Sequence, residues 1–367
     1  MHDAIIVGQG IAGSVLALMC KKNGLNVVVV DDGHKTSSSM VSAGIMTPLT
    51  GPRLSPLWTH ERTRDLVMGV YADAQVQLKA SFIRSYRLVR LLESEQERQF
   101  LKKRQSDPLL AGWVLPATDW SHVCAPGNAQ FEMSCVNRID APLFLAACRQ
   151  YFKDNGMLIQ GSVAAKDVRA SASAVTWQGL SAKHMIFCQG AVGEGNPFFP
   201  ELEFRNVQGH VLKVVSPHLP NGTIFNHGKW LCPTTPGEFL YGASTVRHDS
   251  DAPIKLAELR ASLRSFLNVK AHIIGTVLGV RPCLKHAHPM AFFSRQYTRI
   301  GCINGFRGQG MFYAPIMASW MYGQLLESSR ITFPEALKYQ KLDDLKRYPK
   351  FPNGMDSKPR LYANHVG

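Results

Sequence analysis

The chain contains 367 residues, of which 45% are hydrophobic, and it carries a formal net charge of +14 at pH 7. This length exceeds the roughly 250–300 residues at which a single hydrophobic core stops growing, so we expect two domains. No apolar run reaches the ~18 residues that a membrane-spanning helix requires, and the N-terminus lacks the basic segment of a signal peptide, so we expect a cytoplasmic protein without a membrane span.

The N-terminal segment follows the order strand, glycine turn, helix, strand and acid. The apolar run Ala4-Ile5-Ile6-Val7 leads into Gly8-Gln9-Gly10-Ile11-Ala12-Gly13 and an apolar-periodic segment, and Val27-Val28-Val29-Val30 ends in Asp31-Asp32. This order is typical of the βαβ unit that binds the adenosine and pyrophosphate of a dinucleotide. NAD, NADP and FAD all use this unit, and an acid at the ribose disfavours only a 2′-phosphate.

Each residue type in this unit has a physical role. Gly8 permits the tight turn, Gly10 lets a phosphate approach the backbone, and Gly13 lets the helix pack closely against the strand. The N–H groups at the helix N-terminus face the pyrophosphate, and a carboxylate accepts hydrogen bonds from ribose hydroxyls. The cofactor-binding residues predicted in this unit are Gly8, Gly10, Ile11, Ala12, Gly13, Asp31 on the ribose and its neighbour Asp32.

Loops, helices and short strands alternate in the middle of the chain. In chain order we predict a small-residue loop over 37–46, helices within 59–105 around a strand over 85–90, and a helix over 141–155 capped by Asp140. Strands follow over 157–165 and 173–178, and a buried strand over 185–188 enters a glycine turn at Gly190. An antiparallel sheet over 203–247 and a helix over 253–267 come next. The small-residue loop either lets a flat ring approach its backbone or is a plain surface loop.

Two later segments carry residues that packing alone does not explain. Val277-Leu278-Gly279-Val280-Arg281-Pro282 places a charged side chain inside an apolar run, where it is costly unless it is paired. Ile300-Gly301-Cys302-Ile303-Asn304 enters a glycine-rich turn from Gly305 to Gly310, and a helix follows over about 314–327. A second glycine-rich turn at a helix N-terminus indicates another place where backbone meets a ligand.

In their order and spacing, these segments together resemble the glycine oxidase and D-amino-acid oxidase (DAO) family of FAD-dependent oxidoreductases. The resemblance covers nearly the whole chain. The segments that carry it are Gly8 to Asp31, Ser42-Ala43-Gly44-Ile45-Met46, Phe187-Cys188-Gln189-Gly190-Ala191, Val207-Gln208-Gly209-His210-Val211-Leu212, Tyr241-Gly242-Ala243-Ser244-Thr245, Gly279-Val280-Arg281-Pro282 and Gly305 to Pro315. The resemblance implies that the dinucleotide is FAD.

The resemblance implies an α/β (α+β) fold, with a Rossmann-like FAD/NAD(P)-binding domain and a second substrate domain built on a mixed, mainly antiparallel sheet. The ranges expected are 1–50, 136–203 and 276–345 for the FAD-binding domain, 51–135 and 204–275 for the substrate-binding domain, and 346–367 for a basic C-terminal tail. The active site is expected between the two domains, over the flavin ring.

The resemblance also implies roles for residues of the site. Arg281 matches the family arginine that binds a substrate carboxylate, and the alternative role is an internal salt bridge. Members often carry an arginine just before the last glycine of the closing turn, whereas this chain has Gln309 there and Arg307 two positions earlier, from which it can reach the substrate. Further flavin contacts are implied for Ser42, Ala43, Gly44, Ile45, Gly190, Gly305, Gly308, Gln309, Gly310 and Met311.

Histidines occur at several positions near these segments. His210 lies on a strand expected to border the pocket, where it is either a proton carrier or a satisfied core histidine. His286 and His288 stand where the family commonly has an acid, which makes this side of the site more positive. A substrate that is more anionic or bulkier than glycine is therefore plausible. Two histidines with no further partner do not form a metal site, and none of the eight cysteines forms a CxxC pair, so no metal is predicted.

The function implied is oxidation of a C–N bond in an amino acid or secondary amine, with hydride transfer to flavin, an imine product and oxygen as acceptor. The expected partner is a small-molecule amine or amino acid that carries a carboxylate. One alternative is the flavin oxidase component of a tRNA wobble-uridine modification enzyme, supported by the charge of +14. Nucleic acid is not favoured, since the chain has no methyltransferase-like domain and no concentrated RNA-binding patch. The other alternative is a non-catalytic, flavin-stabilised protein.

Overall fold

The computed structural model describes residues 1–33, 37–57, 61–108, 110, 112–125, 130–247, 251–285 and 288–326. The helices are α1 (Ile11–Lys22), α2 (Ser38–Val41), α3 (Glu61–Leu78), α4 (Glu95–Gln105), α5 (Ala141–Asp154), α6 (Ala252–Phe266) and α7 (Gly310–Leu325). The strands are β1 (His2–Val7), β2 (Val27–Asp31), β3 (Ile45–Met46), β4 (Leu49–Thr50), β5 (Ser55–Pro56), β6 (Ile83–Leu91), β7 (Val114–Pro116), β8 (Gln130–Ile139), β9 (Leu158–Gln160), β10 (Val168–Ala170), β11 (Val175–Trp177), β12 (Leu180–Phe187), β13 (Val207–Val215), β14 (Thr223–Asn226), β15 (Trp230–Thr235), β16 (Glu238–Gly242), β17 (His272–Arg281), β18 (Met290–Phe293) and β19 (Ile300–Asn304). Among the residues described, no helix combines the length and hydropathy needed to cross a membrane.

The first sheet has a parallel centre in the order β9-β2-β1-β12-β19, and antiparallel strands β10, β11 and β18 extend it. Alternate residues of β1 enter two different hydrophobic clusters, because Ile6 packs with α1 while Ile5 packs on the other face with Trp177. Burial on both faces is typical of parallel strands covered on both sides. The carboxyl ends of β1, β2 and β12 therefore lie together at one edge, where such sheets bind ligands.

The second sheet runs in the order β17-β13-β16-β15-β14-β6-β8-β3, with β7 paired to β8. Its pairs are antiparallel except for β14, which pairs with β6 in parallel over Thr223–Asn226. Helix α6 contributes Leu259, Leu263 and Phe266 to the cluster on one face of this sheet. The mixed, mainly antiparallel sheet agrees with the predicted fold class.

Helix α7 begins at Gly310, earlier than the start predicted near residue 314, and it contains Pro315. Proline has no N–H to donate to the carbonyl of Met311, one turn earlier in the helix. The hydroxyl of the fully buried Tyr71, on α3, donates to that carbonyl at 2.7 Å. The helix therefore continues through the proline because a neighbouring helix satisfies the carbonyl. The predicted end at Glu327 lies outside the described residues.

Two other local predictions have different outcomes. The N-cap at Asp140 is confirmed, since its Oδ1 accepts a hydrogen bond from the Leu143 N–H at 3.3 Å. The loop predicted over 37–46 is wrong for Ser38–Val41, which form α2 with Ser37 as the N-cap. The serines that made the segment resemble a loop act there as capping and helix-contact residues.

The division into domains stays a proposal, and sheet membership refines it. Strands β8 and β17 lie in the second sheet along their whole lengths. Residues 136–139 and 276–281 therefore pair with that sheet, although the expected ranges assign them to the FAD-binding domain. The basic tail expected over 346–367 lies outside the described residues.

Candidate active site

A cavity of about 610 Å³ lies at the carboxyl ends of β1, β2 and β12 and extends to the second sheet. Its walls include the glycine turn before α1, much of the segment 37–45, the end of β17 and the turn before α7. Backbone from both sheets therefore meets around one space. We call the region around the glycine turn and Asp31 the α1 end, and the region around Arg281 and Arg307 the Arg281 end.

The glycine turn between β1 and α1 forms the α1 end. Gly8 has a φ of +101°, and a Cβ there would lie 2.6 Å from the carbonyl oxygen of Cys188. A Cβ on Gly13 would lie 1.9 Å from the Gly8 carbonyl oxygen, so Gly13 packs α1 against the turn and is not part of the cavity wall. Gly10, Ile11 and Ala12 line the cavity at the helix N-terminus, which favours an anion.

Asp31 ends β2 and lines the α1 end together with Asp32. Its Oδ1 accepts hydrogen bonds from Arg149 Nη1 at 2.7 Å and from the Gly33 N–H at 2.8 Å, and its Oδ2 accepts from the Gln9 N–H at 2.8 Å. These contacts fix the carboxylate in the turn. A carboxylate has about four acceptor sites, so capacity remains for a ribose hydroxyl.

Ser39 is a residue of the α1 end that the sequence did not single out. Its Oγ accepts a hydrogen bond from the Ile11 N–H at 3.2 Å, in the first turn of α1. A Cβ on Gly10 would meet this Oγ at 3.4 Å and no other atom within 4 Å. The serine run at 37–39 was the available signal, but only the fold brings it to α1.

The segment Ser42, Ala43, Gly44 and Ile45 also lines the cavity. Gly44 has a φ of +73°, and a Cβ there would lie 1.9 Å from the Ile139 carbonyl oxygen. The Ile139 N–H donates to the Gly44 carbonyl at 3.0 Å. A glycine is therefore required at position 44 because β8 packs closely against the backbone there, whether or not a ligand is bound.

The closing turn before α7 divides into residues that line the cavity and residues that shape the turn. Gly308, Gly310 and Met311 line the cavity, as does Gly190 from the turn after β12. Gly305 does not; its φ is +82°, and a Cβ there would lie 2.6 Å from Leu284 Cδ1. Gln309 is likewise absent from the wall and donates to the Thr50 hydroxyl at 3.4 Å.

Arg281 ends β17 and defines the other end of the cavity. Its Nη2 donates to the Ser244 carbonyl at 2.8 Å, and no described carboxylate forms an ion pair with it. A Cβ on Gly209 would lie 2.8 Å from this Nη2, so Gly209, which the sequence did not single out, makes room for the guanidinium. Burial lowers the pKa of Arg281, and the positive charge of Arg307 lowers it further. The described residues thus do not support the internal salt bridge.

Arg307 also lines the cavity, at the Arg281 end. Its backbone N–H donates to the Pro282 carbonyl at 3.1 Å, directly after Arg281. The two arginines therefore start from adjacent backbone segments.

His210 is not part of the cavity wall. Its neighbours Gly209 and Val211 line the wall, and strand alternation turns the His210 side chain to the other face of β13. Its Nδ1 lies 3.0 Å from the Ser244 hydroxyl, and burial lowers its pKa. This arrangement is that of a satisfied core histidine, so His210 has no place in the function proposed below. His288 is not part of the wall either, and His286 lies outside the described residues.

Asn226, at the end of β14, is a further polar residue of the wall that the sequence did not indicate. Its Oδ1 accepts hydrogen bonds from Arg90 Nη1 and from the Gly228 N–H. Arg90 is itself buried and forms an ion pair with the buried Glu97 at 2.7 Å. Because the amide oxygen is held in this way, the NH2 group of Asn226 is the part that can serve a ligand.

The parallel sheet presents a glycine turn and an acid to one end of the cavity, and the second sheet presents an arginine to the other end. This arrangement is typical of a dinucleotide-dependent enzyme with two sheets. The profile of the family described as "DAO: FAD dependent oxidoreductase" matches residues 3–323. The chain therefore belongs to this family of FAD-dependent oxidoreductases, which confirms the resemblance, the cofactor and the enzyme class.

Solved structures share the fold. Glycine oxidase from Bacillus cereus is 16% identical, with a TM-score of 0.75 over 90% of this chain and 96% of that one. Glycine oxidase from Geobacillus kaustophilus is 16% identical, with a TM-score of 0.74 over 91% and 96%. Iminodiacetate oxidase from a Chelativorans species is 16% identical, with a TM-score of 0.71 over 91% and 98%. The predicted fold class is confirmed by these similarities.

The residues present fit FAD. A Cβ on Gly308 would have no atom within 4 Å, and the backbone at Gly10 is nearly as open, so a ligand can approach both. Helices α1 and α7 both begin at the cavity, and their N-termini favour negative charge. Asp31 retains acceptor capacity for a ribose, so the chain offers contacts for the nucleotide and for the ring.

Proposed function

We propose that the protein oxidises the C–N bond of an amino acid or a secondary amine to an imine, which water then hydrolyses. The observation that carries this proposal is Arg281, a guanidinium at the cavity for which the described residues supply no carboxylate. A substrate carboxylate supplies the missing charge, because the planar fork of arginine binds carboxylates through paired hydrogen bonds.

The chemistry that FAD supplies when bound is two-electron oxidation, in which a hydride leaves the carbon that bears the amine and the electrons pass to an acceptor, for which we propose oxygen. The chain's own residues bind and orient the substrate. Arg281 holds the carboxylate, with one of its donors kept in place by the Ser244 carbonyl. The NH2 group of Asn226 offers a second polar contact at the wall. The N-terminus of α7 stabilises negative charge that develops beside it.

We propose that the cofactor contacts include the residues that both the sequence and the cavity indicate: Gly8, Gly10, Ile11, Ala12, Asp31, Asp32, Ser42, Ala43, Gly44, Ile45, Gly190, Gly308, Gly310 and Met311. Gly13 and Gly305 support the two turns from outside the wall, and Gln309 acts through Thr50. The names of two structural neighbours, glycine oxidase and iminodiacetate oxidase, denote small amines with carboxylates and support the substrate class.

An anaerobic screen of amino acids and N-methylated amines tests this function. We expect at least one amine with a carboxylate to bleach the visible absorbance of the purified holoenzyme, and readmitted oxygen to restore it with release of hydrogen peroxide. A protein that bleaches with none of these amines would instead support the non-catalytic alternative.

The role of Arg281 has its own test. In Arg281→Gln we expect KM for a bleaching substrate to rise about tenfold or more, while KM for the matched amine without the carboxylate changes little, since only the first loses a charged hydrogen bond. Equal effects on both amines would exclude the carboxylate role.

Location in the cytoplasm stays a prediction.

A further inference from the structure

The Arg281 end of the cavity holds two positive charges and no described negative charge. Arg281 and Arg307 both line the wall, and the Arg307 N–H binds the carbonyl of the residue that follows Arg281. Among the described residues of the wall, the acids are Asp31 and Asp32, and these lie at the α1 end, where Arg149 pairs with Asp31. Arg281 is half-buried and Arg307 is exposed at the mouth of the wall, and the positive charge of Arg307 lowers the pKa of Arg281. An anion that binds between the two like charges is therefore favoured.

The backbone of Arg307 adds an independent observation. Its φ is +55°, in the left-handed region that glycine adopts at little cost and a side chain does not. Gly305 and Gly308 stand on either side in the same turn, and Gly305 also has a positive φ, of +82°. An arginine in this conformation carries a conformational cost that a glycine would avoid. Strained backbone of this kind at a ligand cavity points to a role for the side chain.

We propose that the substrate carries two carboxylates, one bound by Arg281 and the second by Arg307. This inference rests on the proposed function and specifies its substrate class as an amine dicarboxylate. A substrate with one carboxylate satisfies Arg281 and leaves Arg307 without an anion. The second carboxylate belongs either to the side chain of an amino acid or to the N-substituent of a secondary amine, and both present the same two charges.

Binding of non-reacting dicarboxylates to the holoenzyme tests the two-anion site apart from catalysis. The probes are malonate, succinate and glutarate, each compared with the monocarboxylate of the same carbon number. The readouts are calorimetry and the shift in flavin absorbance. We expect at least one dicarboxylate to bind about tenfold more tightly than its partner, as one added charged hydrogen bond predicts. Equal affinities within every pair would overturn the inference.

Variants locate the second anion. In Arg307→Gln we expect the preference for the dicarboxylate to be lost, whereas Arg260→Gln, the same charge change on the exposed face of α6, is expected to preserve it. Arg307→Gly removes the side chain and relieves the left-handed backbone, so it should fold and also lose the preference. A preference that survives both Arg307 variants would contradict the proposal.

Substrate pairs separate this inference from the proposed function. Aspartate is compared with asparagine, and N-(carboxymethyl)glycine with N-methylglycine, for anaerobic bleaching. Faster bleaching by one of the dicarboxylates identifies where the second carboxylate is carried. Bleaching by monocarboxylate amines with no dicarboxylate preference refutes the two-anion site and leaves the proposed function standing. Dicarboxylate binding that depends on Arg307, without bleaching by any amine, refutes the function and leaves the anion site standing.

Discussion

Gly13 and Gly44 have no space for a Cβ atom, which would lie 1.9 Å from a carbonyl oxygen at each position. Gly10 and Gly308, by contrast, face open space or a single serine hydroxyl. The first pair is therefore required by the packing of the chain on itself. The second pair keeps the backbone accessible to a ligand.

Substitution of Gly10 separates folding from cofactor binding. Gly10 has an ordinary extended conformation, with φ −76° and ψ −169°, so Gly10→Val is expected to fold. The valine side chain enters the place of the pyrophosphate, and we expect the purified protein to lack flavin absorbance. Gly222→Val, at an exposed turn with no atom within 4 Å of the added Cβ, is the matched control and should retain flavin. Normal flavin content in a folded Gly10→Val protein would refute the nucleotide assignment.

His227 makes stability depend on pH. Its ring stacks on Phe266 with centroids 4.0 Å apart, and Nε2 lies 2.9 Å from the Tyr241 hydroxyl. Burial, with the nearby charges of Lys229 and Arg90, lowers the pKa of His227 to about 4. The unfolded chain therefore takes up this proton near pH 6.5, before the folded protein does. We therefore expect the contribution of His227 to the free energy of unfolding to be complete above pH 6.5 and to be lost as the pH falls towards 4, by roughly 3 kcal/mol.

His227→Phe keeps the stacked ring and removes the titrating group. We expect its free energy of unfolding, measured with urea at several pH values, to lose the part of the acid dependence that lies between pH 6.5 and 4. His272→Gln, at an exposed position on β17, is the control and should keep the parent's profile. An unchanged profile in His227→Phe would assign the acid dependence to other groups.

Sequence patterns predicted the residues whose role depends on their immediate neighbours. Gly8 to Asp31 form one continuous unit, and Arg281 was conspicuous as a charge within an apolar run. Gly209, Ser39 and Asn226 were missed because each gains its role from a distant segment that only the fold brings close. Of the two roles considered for His210, the period of two in a strand favours the core histidine, because it turns the His210 side chain to the face of β13 opposite that of Gly209 and Val211.

At the scale of elements, α7 depends on α3 through one hydrogen bond. Because Pro315 cannot donate to the Met311 carbonyl, the Tyr71 hydroxyl does so at 2.7 Å in a fully buried position. Tyr71→Phe leaves that carbonyl without a donor, and we expect the free energy of unfolding in urea to fall by about 1–3 kcal/mol. Tyr86→Phe on β6, where the side chain is only partly buried, is the control and should change stability less.

A double-mutant cycle identifies the cause. Pro315→Ala supplies the missing N–H within α7, so Tyr71→Phe is expected to cost less in that background. Equal costs in the two backgrounds would show that the tyrosine stabilises the protein through packing alone.

Element boundaries were predicted well where the signal was a local cap. Asp140 marks the start of α5 because its carboxylate binds the helix N–H groups directly. The start of α7 was predicted near residue 314, whereas the helix begins at Gly310 and continues through Pro315. The compensating hydroxyl of Tyr71 comes from a helix far away in the sequence, and no local pattern reveals it.

At the scale of the whole molecule, the charge of +14 is open to a direct test. We expect tRNA to bind weakly at low ionic strength and to be released by about 0.2 M salt. Positive charge that is dispersed over the surface binds phosphates nonspecifically, and salt weakens such binding. Filter binding with tRNA and with polyuridylate of equal length measures this, and we expect equal affinities. Selective retention of tRNA at 0.2 M salt would instead favour the tRNA-modification alternative.

The pairing of β12 with β1 on one side and with β19 on the other has a consequence for synthesis of the protein. During translation the glycine turn and β2, one parallel partner of β1, emerge first. The other parallel partner, β12, follows only at Leu180–Phe187, and the closing turn follows only after β19. A nascent chain therefore cannot enclose the nucleotide until nearly all described residues have left the ribosome. Flavin capture is in this sense a late event, and truncated translation products should emerge colourless.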